Sequence, residues 1–275
     1  MLAISLTAYA SRNRAMRPIR AAMLAVALIG SASVQGAEPS PKNDQETTWG
    51  LGVGAGSKQK PYAGIGRDNE VLPLIEFENK YVHVLGPAVE AKLPSLVISD
   101  AQKINFRLVG RYAIFGGYEA DDAPILAGMD ERKDGFWAGA KVEWKNSLAN
   151  VNAEWLRDMS GYSKGQRFSL GLDRNWRFGK QYMLVPRVVA TWHDGKYNDF
   201  YFGVRDFEAR PGRPAYRAGS GVSAEVGLRG IYMYDRHHSV FADVMVSSLS
   251  STVKDSPLVD RSTETRFFLA YVYRF

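Results

Sequence analysis

From Thr48 to the C-terminus, apolar side chains alternate with polar or small ones, and the 3.6-residue spacing of helices is scarce. The last segment shows the pattern best. Phe275, Tyr273, Tyr271, Leu269 and Phe267 fall on one face, and Arg274, Val272, Ala270, Phe268, Arg266 and Glu264 on the other. The same register sets Phe168, Leu170, Leu172, Trp176 and Phe178 opposite Arg167, Ser169, Gly171 and Asp173. Val222, Ala224, Val226 and Leu228 alternate with Ser223, Glu225, Gly227 and Arg229, and Phe136, Val142 and Trp144 with Lys141 and Glu143. A period of two means strands that meet a different environment on each face. A soluble sandwich also alternates, with its apolar face inward. Three features select a membrane barrel instead. The strands suffice to cross a bilayer when tilted, which takes about 9–11 residues. Aromatics sit near strand ends, as interfacial girdles do. The polar face mixes Arg and Glu with Gly, which suits a crowded lumen. The expected fold is all-β, a transmembrane antiparallel β-barrel.

The alternation predicts twelve strands, near 48–56, 70–78, 80–86, 88–93, 102–115, 135–146, 149–158, 166–178, 181–194, 219–234, 237–249 and 263–275. The fallback is ten, should 80–93 be a single bent strand. An even count puts both chain ends on the periplasmic side. Inner connections are then tight at Asn79-Lys80, Lys145 to Leu148, Gly179-Lys180 and Asp235 to His237. Outer ones are long at 57–69, 116–134, 195–218 and 250–262. Such barrels have this asymmetry. Gly86-Pro87 is short for an outer connection, and 94–101 is long for an inner one.

Ahead of the strands, Arg17 and Arg20 precede an apolar run from Ala21 to Gly30 and a small-residue stretch from Ser31 to Ala37. This is the three-part grammar of a secretory signal peptide. The expected organisation is a signal peptide over 1–37 (with Met16 a candidate start), a flexible lead-in over 38–47 and the barrel over 48–275. No later apolar run approaches the roughly 18–20 residues of a membrane helix. The formal charge of +6 falls to +2 once the four leader arginines, Arg12, Arg14, Arg17 and Arg20, are set aside. That is a weak footprint for nucleic acid, and none is expected as a partner. The absence of cysteine removes disulfides, thiolate metal sites and cysteine nucleophiles together.

Gly50, Gly52, Gly54 and Gly56 satisfy neither phosphate-binding glycine motif, and alternate glycines on a lumen face imply close packing. His83, His193, His237 and His238 lack metal-ligand spacing, so neither metal nor cofactor is expected. His193-Asp194 ends a strand near the outer rim, where a Ser–His pair could act, but no nucleophile, base and orienting group can be recognised. The chain does not read as an enzyme. A larger set of charges faces inward: Arg107, Arg111, Lys141, Glu143, Glu154, Asp173, Arg187, Glu225, Arg229, Asp243 and Arg266. Unpaired buried charge is costly, so a narrow lumen requires them to pair. They form either a network that closes the pore or the lining of a selective conduit. Residues 119–130 are acidic and accommodate a short helical turn. Residues 195–218 interleave Tyr197, Phe200, Tyr201, Phe202, Phe207 and Tyr216 with Arg205, Arg210, Arg213 and Arg217. Such a loop can be an outer binding surface, a fold into the barrel mouth or a grip on lipopolysaccharide phosphates.

Several short pieces, spread over nearly the whole chain after the leader, stand out in order. They begin with Trp49-Gly50-Leu51-Gly52-Val53-Gly54-Ala55-Gly56 and Val71-Leu72-Pro73-Leu74. Asp121-Asp122-Ala123-Pro124, Thr191-Trp192 and Tyr201-Phe202-Gly203-Val204 follow. The set closes with Pro214-Ala215-Tyr216-Arg217-Ala218, Asp255-Ser256-Pro257-Leu258-Val259 and Tyr273-Arg274-Phe275. In these pieces the chain resembles the MipA/OmpV family of outer-membrane proteins (MltA-interacting protein and relatives). Phe275, with Tyr273 and Tyr271 in step, also resembles the C-terminal signal read by the barrel-assembly machinery. The resemblance implies the outer membrane of a Gram-negative bacterium, with lipid and lipopolysaccharide around the wall. It implies a scaffold that links a lytic transglycosylase to a penicillin-binding protein, and it supplies no catalytic residues. Lys58-Gln59-Lys60-Pro61 departs from relatives that are more acidic there. A channel with a charged lumen is the second expectation, and an outer-membrane hydrolase the third.

Overall fold

A computed structural model describes residues 47–113 and 116–275; the leader and nearly all of the lead-in expected before Thr48 lie outside them. The strands are β1 (Thr48–Gln59), β2 (Arg67–Glu78), β3 (Val82–Leu85), β4 (Ala88–Lys92), β5 (Leu96–Ser99), β6 (Gln102–Tyr112) and β7 (Phe136–Lys145). They continue as β8 (Asn150–Asp158), β9 (Gln166–Asp173), β10 (Trp176–Phe178), β11 (Tyr182–His193), β12 (Gly221–Met233), β13 (His238–Ser248) and β14 (Thr263–Arg274). All pair antiparallel in one sheet. β4 and β5 lie end to end along β6, and β9 and β10 end to end along β11, so the wall has twelve strands. The first strand closes it: Val53 faces Pro73 of β2 on one side and Tyr271 of β14 on the other. The Phe275 N–H donates to the Trp49 carbonyl at 2.9 Å, so the last residue completes the seam. Pairing of the first and last strands leaves no free edge at the seam, as a wall in lipid requires.

The faces follow the alternation. On β14, Phe267, Leu269 and Tyr271 point outward at 38–43% exposure, while Phe268, Ala270 and Val272 point inward at 1–3%. Exposed Trp49, Trp144, Trp176, Tyr182 and Phe275 ring the periplasmic end, where amphipathic aromatics favour the interface. The inward face is not purely polar, contrary to the charged or tiny residues expected of it. Leu72, Leu74, Leu85, Met183, Val185, Ile231, Phe241 and Phe268 form an apolar cluster inside the barrel. β1 makes room for it. A Cβ on Gly54 would lie 2.4 Å from the Phe268 ring, so the glycine lets that ring lie flat against the wall.

Three connections differ from expectation. β1 and β2 run further than predicted, which shortens the first outer loop to 60–66. Residues 94–101 are not a loop: Pro94 interrupts the wall strand, which resumes as β5 against the foot of β6 and turns at Asp100-Ala101. Gly86-Pro87 is a turn halfway up the wall rather than an outer loop. β3 pairs with β2 only over Glu76–Glu78, and the last bond runs from the Gly86 N–H to the Ile75 carbonyl at 2.9 Å. The outer half of β2 therefore has no strand neighbour on that side among the described residues. Pro73 lies on this open edge, two residues from Ile75, where it has no N–H to leave unpaired.

The remaining outer loops fold together over the mouth. They contain helix α1 (Gly195–Phe202), helix α2 (Ser251–Lys254) and single 3-10 turns at Pro124–Leu126 and Asp206–Glu208, and with the first loop they build a second apolar cluster of Tyr62, Tyr118, Leu126, Met129, Val204 and Leu258. Backbone pairing of Tyr62 with Val259 joins two loops of the cap, and pairing of Tyr118 with Arg132 and of Val204 with Tyr216 folds two others back on themselves. The helical turn expected in the acidic loop is the one at Pro124–Leu126.

Candidate functional site

The candidate site is the barrel interior, with a lower packed level and a cavity beneath the cap. Neighbouring strands hold its charges at fixed register. Asp243 of β13 accepts two N–H bonds from Arg187 of β11 at 2.9 and 2.8 Å and one from Arg229 of β12 at 2.8 Å. Glu225 extends this triad, 3.8 Å from Arg187 and 4.0 Å from Arg266. Across the barrel, Arg107 of β6 meets Glu90 of β4 at 2.5 Å and Glu143 of β7 at 3.6 Å. Lys141 lies 3.8 Å from Glu90, and the Asn105 amide donates to Glu143 at 3.0 Å. Arg111 pairs with Glu154 of β8. Among the described residues Asp173 forms no ion pair; it accepts amide N–H groups from Asn150 at 2.8 Å and Asn152 at 2.6 Å. Arg229 and Lys141 are only 1% exposed and Asp243 2%, so these three are packed against their neighbours rather than bathed as pore-lining charges are.

Two acidic partners escaped the sequence reading. Glu90 anchors the Arg107 network, and Glu76 holds Arg274 through bonds of 2.9 and 3.1 Å. Their signal was the same alternation: Glu76 follows Leu72 and Leu74 on the inward face of β2, and Glu90 falls between outward Val89 and Ala91.

In the arginine-rich outer loop Arg205, Arg210 and Arg217 are exposed, and Arg213 is structural. Arg213 is 2% exposed and donates to the carbonyls of Glu208, Ile125 and Ala127. Arg132 grips the Glu208 carboxylate with two bonds of 2.9 Å. Burial alone would raise the Glu208 pKa, but N–H donation from Arg205, Asp130 and Arg132 holds it below the usual carboxylate value. Arg205 pairs with Asp130, and Arg210 reaches the Pro124 carbonyl.

Beneath the cap is a cavity of about 270 Å³, lined in part by Arg111, Arg167, Thr191, His193, Tyr197 and Arg266. No hydrolytic triad assembles there. Ser169 bonds the Thr191 hydroxyl at 2.9 Å instead of His193, whose ring stacks on Tyr197 at 4.3 Å. The Asp194 carboxylate caps α1 by accepting the Tyr197 N–H at 2.8 Å. At the other end of the barrel, His237 and His238 turn around Asp235, which accepts both of their N–H groups.

Comparison with known proteins agrees with this architecture. The family description "MltA-interacting protein MipA" matches residues 51–275. The outer-membrane protein YiaT of Escherichia coli O157:H7 is 24% identical over 227 residues, covering 82% of this chain and 90% of its own. Outer membrane protein OmpV of Vibrio cholerae is 27% identical over 188 residues, 64% of this chain and 73% of its own. The MltA-interacting protein of Escherichia coli (strain K12) is 24% identical over 234 residues, 84% of this chain and 91% of its own. These relatives are named as outer-membrane or interacting proteins, and the barrel places this chain in the same membrane.

Proposed function

The chain belongs to the MltA-interacting protein MipA family, and on that premise we propose that it is a closed barrel whose periplasmic face gathers murein-remodelling enzymes. The partners are a lytic transglycosylase and a penicillin-binding protein. The observation that favours an interaction role over an open pore is the packed lumen, where Arg229, Lys141 and Asp243 are nearly inaccessible. Most periplasmic turns are short, which leaves little surface for docking. β5 is the exception. Leu96 pairs with Ile104, level with girdle residue Trp144, and Val97 to Ser99 continue toward the periplasm. All four β5 residues are exposed, and the edge away from β6 is unpaired among the described residues. A free edge with Leu96, Val97 and Ile98 bare on both faces suits an extended partner segment added as a further strand.

Crosslinking pull-down from native envelopes, read by mass spectrometry, tests this. Lytic transglycosylases and penicillin-binding proteins should be enriched over an unrelated barrel and lost with the variant Val97→Pro/Ile98→Glu. A clean barrel without murein enzymes would refute the scaffold reading. Retention by the β5 variant would move the contact elsewhere on the rim. The second reading, a small-solute conduit, rests on the charged cavity beneath the cap.

A further inference from the structure

We propose that the cavity beneath the cap is a binding site for a small carboxylate, held by the guanidinium of Arg167. The argument starts from the charges that line it. Arg187 is committed to Asp243, Arg111 to Glu154, Lys58 to Glu264 at 3.5 Å and Lys60 to Asp68 at 2.8 Å. Arg266 lies 4.0 Å from Glu225. Arg167 alone among these cations has neither a hydrogen bond nor an ion pair among the described residues. Its Nε is buried without a partner. The neighbouring charges that bear on it most are Arg111 and Glu154, which already satisfy one another.

Arg167 is fixed in the second position of β9, between Leu156 of β8 and His193 of β11. The Trp137 ring packs against one side of its guanidinium, 5.3 Å away, and steadies the plane without neutralising the charge. Arg167 is half-buried and its Nε has lost water without gaining a partner, a cost that an anion in the cavity would offset. A planar guanidinium with free N–H groups matches the two oxygens of a carboxylate in a bidentate pair. A cavity of about 270 Å³ beneath the cap admits an anion of that size. The scaffold reading is independent of this site, since β5 lies at the opposite end of the barrel.

The test uses the folded full-length protein in detergent micelles, titrated with sodium acetate while sodium chloride keeps the ionic strength constant. A ligand that binds only the folded state raises the unfolding midpoint by mass action. The wild type should show a saturable rise. Arg167→Gln should lose it, whereas Lys180→Gln, in a periplasmic turn, should keep it. Without acetate, Arg167→Gln should melt no lower than the wild type, because its removal strands no carboxylate. Arg167→Lys retains the charge but not the fork; it serves if the glutamine variant fails to fold, and should saturate only at higher acetate. No saturable rise in the wild type, or an equal rise in the Arg167 variants, would overturn the proposal.

Discussion

Asp243 answers two guanidinium groups at once, and the three side chains are almost wholly buried. Its worth therefore depends on what is left behind when it goes. Asp243→Ala would strand Arg187 and Arg229 together, and breaking a buried pair in this way costs about 3–5 kcal/mol. Replacing all three at once with Arg187→Met, Arg229→Met and Asp243→Leu should cost far less, because no charge remains unanswered. Urea unfolding in micelles separates the two cases. Equal losses for the single and triple variants would mean that the network stabilises in its own right. Period-two alternation marked most of these residues as inward, because lipid on one side and packed interior on the other leave little freedom of register. It could not assign partners. Whether Arg107 meets Glu90 or Glu154 depends on which strands are neighbours, and a single strand does not carry that information.

β1 shows how an element is shaped by what crosses the lumen. Its alternate glycines leave a groove, and the Phe268 ring fills it at Gly54. Gly54→Ala forces a methyl into that ring, and overpacking of this kind costs about 1–3 kcal/mol. Phe268→Leu, which shortens the opposing side chain, should return most of the loss in the double variant. A double-mutant cycle by thermal unfolding checks this, and additive losses would refute the contact. Long strands such as β1, β11 and β14 were legible because each carries many alternations. The stretch from β3 to β5 was not. Four-residue β3 offers only two repeats, and Pro94 imitates the end of a strand although the same wall position resumes at Leu96. The cap was illegible for another reason. Tyr62, Tyr118, Val204 and Leu258 come from four separate loops, and no local period announces that they will share a core.

At the scale of the whole barrel, two separate levels oppose passage. The upper is the cap, locked by the buried Arg132–Glu208 pair and by loop-to-loop backbone pairing. The lower is the interior itself, where the apolar cluster around Phe268 packs beside the Asp243 triad. On this reading either level alone should suffice to block ion flow, because ions need a continuous wetted path. Planar-bilayer recordings of the wild type should then show no ohmic pore conductance. Replacing residues 196–217 with a short Gly-Ser linker should leave the recordings silent, since the lower level survives loss of the cap. Conductance should emerge only when that replacement is combined with Asp243→Ala and Phe268→Ala. Steady conductance in the wild type would refute the closed lumen and favour the conduit reading. Opening by the loop replacement alone would make the cap the sole barrier and the interior below it a permeable path.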